Sequence, residues 1–156
     1  MDTTAWETLR TGAGCPMDTP RPAANDHWDL VAALSISSLY LAKSQTYRGH
    51  CQLIFDPRHA CRSDQLSAEE WRRFCDDLYL AQRAILQVTR PDHLNVELLG
   101  NVVPHLHWHI VPRYFDDPRW GMPIWTTPLS AMPETRLEDD DRATLIASIR
   151  AALRDA

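Results

Sequence analysis

The 156-residue sequence is informative first through what it lacks. No apolar run approaches the roughly 20 residues that a membrane-spanning helix needs. The first thirty residues carry charges and prolines and no apolar signal-peptide core. A cytoplasmic protein with no membrane partner is therefore expected. Basic residues are in the minority, 16 Lys and Arg against 21 Asp and Glu, for a formal net charge of −5. That balance argues against a nucleic-acid polymer as partner, because such binding rests on a basic surface. One small anion is not excluded, since local dipoles and donors can hold a single phosphate. None of the four cysteines, Cys15, Cys51, Cys61 and Cys75, belongs to a C-x-x-C pair. A thiolate zinc site and a disulfide framework both lack support, and reduced, non-catalytic thiols are expected. Internal repeats and low-complexity tracts are also missing.

What is present divides into three parts. Residues 1–27, broken by Gly12, Gly14, Pro16, Pro20 and Pro22, read as an irregular segment. Residues 28–125 read as the core domain. Within them Leu30–Leu34 and Ile36–Leu41 suit a hairpin, and Cys51–Phe55 suits a strand stopped by Asp56-Pro57. Ser67-Ala68-Glu69-Glu70 is a capping box, and Trp71, Phe74, Leu78, Ala81, Ile85 and Val88 follow at steps of three and four. That pattern predicts a helix over about 68–89, ended by Arg90-Pro91. His93–Leu99 and Val103–Val111 read as two strands around a tight turn at Gly100-Asn101. A proline-rich stretch, 112–133, follows. Residues 126–156 read as an extension whose helix, capped within Thr135–Glu138, turns Leu145, Ile146, Ile149 and Leu153 inward. Strands, helix, strands and helix in that order predict an α+β fold with a mostly antiparallel sheet.

The chemistry concentrates in His105-Leu106-His107-Trp108-His109-Ile110-Val111-Pro112-Arg113. In a strand, alternate residues share a face. Leu106, Trp108 and Ile110 would face the core, and the three imidazoles would project together, roughly 7 Å apart, too far for ring contact but suited to an anion lying across the row. With a pKa near 6.5, some rings would be neutral nucleophiles and others charged donors at neutral pH. Attack at phosphorus uses both. A rival reading makes His105, His107 and His109 zinc ligands, with His50, His59 or Glu97 to complete the shell.

The segment resembles the histidine-triad (HIT) family, whose signature is His-φ-His-φ-His-φ-φ with φ apolar. Gly49-His50, Arg58-His59, Leu94-Asn95-Val96, Gly100-Asn101 and the stretch from Asp117 to Trp125 extend the likeness, which covers about residues 28–125. The resemblance implies a five-stranded, mostly antiparallel sheet with two main helices, and a homodimer. It implies a nucleotide hydrolase or transferase acting at an α-phosphate of phosphoramidates or dinucleoside polyphosphates. His107 would be the nucleophile that forms a nucleotidyl-histidine intermediate, with His105 and His109 orienting it and binding phosphate. Asn95 and Asn101 would bind substrate. Some members carry paired N-terminal cysteines in a zinc site. Cys15-Pro16-Met17-Asp18 keeps one of the two, so neither a metal nor another cofactor is expected, and His50 and His59 are read as structural or surface residues. Trp120 and Trp125 suit a pocket, a core or a dimer contact. The alternatives to a metal-free enzyme are the zinc-dependent hydrolase and a nucleotide-binding adaptor with little turnover.

Overall fold

The computed structural model describes residues 2–117, 119–126 and 135–155. Five strands, β1 (Trp28–Ala33), β2 (Ser37–Ala42), β3 (Cys51–Phe55), β4 (His93–Leu98) and β5 (His107–Arg113), form one sheet in the order β1-β2-β3-β5-β4, with every neighbouring pair antiparallel. Three helices accompany it: α1 (Thr3–Arg10), α2 (Ala68–Thr89) and α3 (Asp139–Arg154). The fold is α+β, as expected.

Helix α2 starts where its capping box predicts, with Ser67 and Glu70 each satisfying a backbone N–H of the other. It ends at Arg90, whose left-handed conformation, φ 46°, precedes Pro91. Phe74, Leu78, Ala81 and Ile85 form its buried stripe. With Leu145 and Ile149 of α3 they pack on one sheet face, built from Leu39, Leu41, Leu53, Phe55 and Ile110. Each such side chain contributes on the order of 2 kcal/mol by leaving water. Asp77 is buried on the same helix. Its carboxylate accepts from the backbone N–H groups of Ser35 and Ile36 and from the Ser37 hydroxyl, tying α2 to the β1–β2 turn. A buried acid is tolerated there because its oxygens are occupied.

Two expectations need correction. Residues 1–27 are not irregular throughout, since α1 forms behind an Asp2 side chain that caps Thr4 N–H. The prolines and glycines that suggested disorder all lie after it. Gly100-Asn101 is not a two-residue turn, because β4 stops at Leu98 and β5 starts at His107. Pro104 has no N–H for a ladder, and Leu106 bonds to Ala60 and Phe55 across the sheet instead. The cap of α3 is Glu138, inside the predicted Thr135–Glu138, although its side chain makes no capping bond. Of the proline-rich stretch, residues 118 and 127–134 lie outside the described residues.

Candidate active site and metal centre

The strand alternation holds. Leu106 and Ile110 are in the core, and Trp108 packs between the sheet and α2, 5.9 Å from Trp71 and 6.1 Å from Phe74 between ring centroids. His107 and His109 project from the opposite face, only 4% and 7% exposed. Their Nε2 atoms are 3.0 Å apart, closer than strand spacing allows for, because the rings lean together from adjacent same-face positions. His50 continues the line. It stands where β3 is about to begin, beside Gly49, whose φ of +87° and close approach to Thr89 leave no room for a Cβ. Its Nε2 lies 3.2 Å from His109 Nδ1.

The protons on this line can be assigned. A carbonyl only accepts, so His107 Nδ1, 2.7 Å from the His105 oxygen, carries hydrogen, and His107 Nε2 presents its lone pair. His109 Nε2–H then donates to His107, and His50 Nε2–H donates to His109. All three rings are neutral in this pattern. Burial, the largest cause, pushes the His109 pKa down to about 2 and His50 to about 4, with neighbouring imidazoles adding to both. Burial lowers His107 as well. The expected mixture of neutral and charged rings is thus replaced by a neutral row, because burial disfavours the charged form.

His105 precedes the strand, and its ring serves a different cluster. Its Nε2 donates to the Phe55 carbonyl at 2.8 Å, so its Nδ1 is a lone pair. That lone pair lies 3.1 Å from Asp18 Oδ1 and 3.8 Å from Cys15 Sγ. His59 is arranged alike. Its Nε2 donates to the Arg10 carbonyl at 3.2 Å, and its Nδ1 meets the same Asp18 oxygen at 3.0 Å. Burial keeps the Cys15 thiol pKa raised. Two imidazole lone pairs, a carboxylate and a sulfur, all within 4.8 Å of one another, repel unless protons or a cation lie among them. One sulfur, one oxygen and two nitrogens at such spacing fit a tetrahedral divalent ion. In sequence Cys15 stands alone and no metal is expected; Asp18, three residues after it, completes a group of four side chains that could hold one. The rival in which the three histidines of the motif ligate one ion is not supported, since His105 faces away from the other two.

The remaining candidates divide. Asn95 sits on the triad's face of β4, but its amide oxygen faces Arg113 Nη1 at 3.5 Å rather than an imidazole. Asn101 is exposed and lines a shallow groove with Thr3, Trp6 and Glu7 of the N-terminal helix, away from the row. Trp125 was one of several possibilities in sequence and reaches the site: its ring lies 4.8 Å from His109 and 6.5 Å from His50. Trp120 packs on Phe115 instead, at 4.6 Å. His50 and His59, weighed in sequence as metal ligands and read as structural or surface residues, each belong to a motif-like dipeptide, Gly49-His50 and Arg58-His59. Neither stands in strand alternation with the triad, so periodicity could not join them to it.

Comparison with known proteins agrees with this fold. The HIT domain matches residues 29–116. No curated protein matches the chain. Among solved structures, a histidine triad protein of Bradyrhizobium japonicum is 24% identical, with 81% of this chain and 91% of that chain covered and a TM-score of 0.74. A zinc-bound histidine triad family protein of Mycobacterium smegmatis is 18% identical over 95% of this chain and 91% of that one, with a TM-score of 0.58. The diadenosine triphosphate hydrolase of Plasmodium falciparum is 13% identical over 81% and 76%, with a TM-score of 0.55. These similarities show a shared fold, and the domain match spans more than half of the sequence with the full His-φ-His-φ-His-φ-φ signature inside it: the chain belongs to the HIT family.

Proposed function

We propose that the protein is a hydrolase or transferase acting at a nucleotide α-phosphate through a covalent intermediate on His107. The observation that carries this reading is the proton order of the imidazole line. It leaves the Nε2 lone pair of His107 as the free nucleophile and places an N–H of His109 3.0 Å away. When a phosphate enters, His109 Nε2–H turns from His107 to a phosphoryl oxygen, and the released lone pair attacks phosphorus. A P–N bond forms as the bond to the leaving heteroatom breaks. The leaving group departs with that electron pair and takes up a proton from the His109 ring, protonated when the phosphate binds. Water then attacks phosphorus and returns a proton to His109, the P–N bond breaks, and His107 is restored. The phosphate's own charge favours protonation of the neighbouring rings, so the charged donors missing from the neutral row arise on binding.

Cys15, Asp18, His59 and His105 would hold a divalent ion. Bound there, it would supply a cross-link between the N-terminal segment and the residues leading into β5 and leave the chemistry at phosphorus to the imidazoles. His105 acts on the reaction through its carbonyl, which fixes the His107 tautomer. Among the described residues no helix is long and apolar enough to cross a membrane. The substrate fitting this machinery is a small nucleotide.

A homodimer is part of the same proposal. β4 is the last strand of the sheet, and Tyr79 and Leu86 of α2 are exposed. An unpaired edge strand and exposed apolar helix positions each suit a twofold contact. A light-scattering mass of 17.9 kDa, that of one chain, would rule it out.

The test of the reaction is covalent trapping. A radiolabelled nucleoside phosphoramidate, quenched in alkali, should label His107 alone. A label on His105 or His109 sinks the assignment. Nucleotide binding without turnover would favour the adaptor reading.

A further inference from the structure

We infer that Glu97 and Trp125 set the charge of the substrate at this site, disfavouring a polyphosphate and favouring an α-phosphate whose leaving group adds no negative charge, such as an amine. This rests on the proposed reaction at His107. Glu97 on β4 is the register partner of His109 on β5. Paired cross-strand residues share a face, with their Cβ atoms about 5 Å apart. The indole N–H of Trp125 donates to the Glu97 carboxylate, and the same indole packs on His109. The carboxylate is thus held at the rim of the imidazole line.

The segment carrying Trp125 is itself anchored. Ile124 is buried with Tyr47 and Val111. Arg113, buried on the triad's face, pairs with Asp117 at 2.5 Å and donates to the carbonyls of Arg119 and Met122. The charge of Arg113 is therefore already balanced by Asp117. A phosphorus that reaches His107 Nε2 with His109 on its oxygen lies beside the Glu97 carboxylate. The imidazole N–H groups offset one phosphate. Each further ionised phosphate meets that carboxylate, whose contact with the indole lies at the solvent-exposed rim, so the like charges repel there in a way that dissolved salt can screen. Repulsive elements of this kind are how a site rejects a competing ligand.

The experiment compares kcat/KM for a nucleoside 5′-phosphoramidate and a dinucleoside tetraphosphate. Glu97→Gln keeps an oxygen for the indole N–H and removes only charge. It should raise the tetraphosphate-to-phosphoramidate ratio about tenfold, and the wild-type ratio should rise likewise in about 1 M salt, where screening acts within ~3 Å. Trp125→Phe keeps the ring and removes the N–H that partly offsets the carboxylate, so the ratio should fall. A purely structural role would move both substrates by one factor. That result in Glu97→Gln overturns the inference while leaving His107 as nucleophile. Calorimetric titration with a nucleoside mono- and triphosphate gives a turnover-free measure: Glu97→Gln should tighten the triphosphate more. Wild type binding neither nucleotide would remove both this inference and the reaction at His107.

Discussion

His105 and His109 stand two residues either side of His107, yet their rings keep different company. His109 lies inside a line of neutral imidazoles, His50–His109–His107, closed over by Trp125. His105 turns its lone pair toward Cys15, Asp18 and His59 and offers the line only its backbone carbonyl. On the proposed reading, one end of the motif exchanges a bond with phosphorus and the other would exchange a proton for a metal. The difference arises because β5 begins at His107 and His105 lies outside its ladder, held by the Phe55 carbonyl. A three-residue motif that looks symmetric in sequence is therefore two sites sharing a peptide.

The comparison breaks first at the nucleophile. His107→Ala should abolish covalent labelling and lower turnover by about 10³-fold or more, as expected for a lost nucleophile. His105→Ala should retain labelling at His107 and instead lose any metal that co-purifies, measured by elemental analysis. Equal effects on labelling would erase the distinction between the two ends.

Acid should strike the imidazole line next. His50 stays neutral in the folded protein until about pH 4, whereas an unfolded histidine protonates near 6.5. Between those values the unfolded chain binds more protons, so stability is lost as pH falls through that window. His50 alone accounts for about 3 kcal/mol at pH 4. Denaturant titrations should show a shallower loss between pH 6.5 and 4 in His50→Gln. An unchanged slope would mean that burial does not hold His50 neutral.

A smaller effect tests whether His50 acts through His109. His50→Ala removes the donor to His109 Nδ1 and frees the tautomer that aims Nε2–H at the site. Turnover should fall about 10²-fold with little change in KM. Rescue by Gln, whose amide can donate to Nδ1, would sharpen the assignment to positioning.

The smallest effect belongs to the metal end. Asp18→Ala should lower stability by about 2 kcal/mol in metal-replete buffer, as expected for losing a ligand that binds only the folded state. Chelation should lower the wild-type Tm alike and leave the variant's unmoved. Turnover well below either Tm should change little. Loss of turnover on chelation, restored by zinc, would move the metal from scaffold to chemistry.

Local pattern specified much of this molecule. The capping box at Ser67 and the stripe from Phe74 to Ile85 define α2 because helix period and N-terminal N–H satisfaction act over a few residues. The alternation at Leu106, Trp108 and Ile110 determines which face of β5 bears histidine, because a strand turns by half at every residue. Tertiary structure decided what alternation cannot express. It brought His50 and Trp125 to the imidazole line, and Cys15, Asp18 and His59 to His105, from segments tens of residues away. It left Asn101 at the surface beside α1 and turned the amide of Asn95 toward Arg113. It also set the protonation of the row, because burial is a property of the packed molecule. Periodicity determines which residues share a face; only the closed sheet, with its connecting loops in place, determines which of them meet.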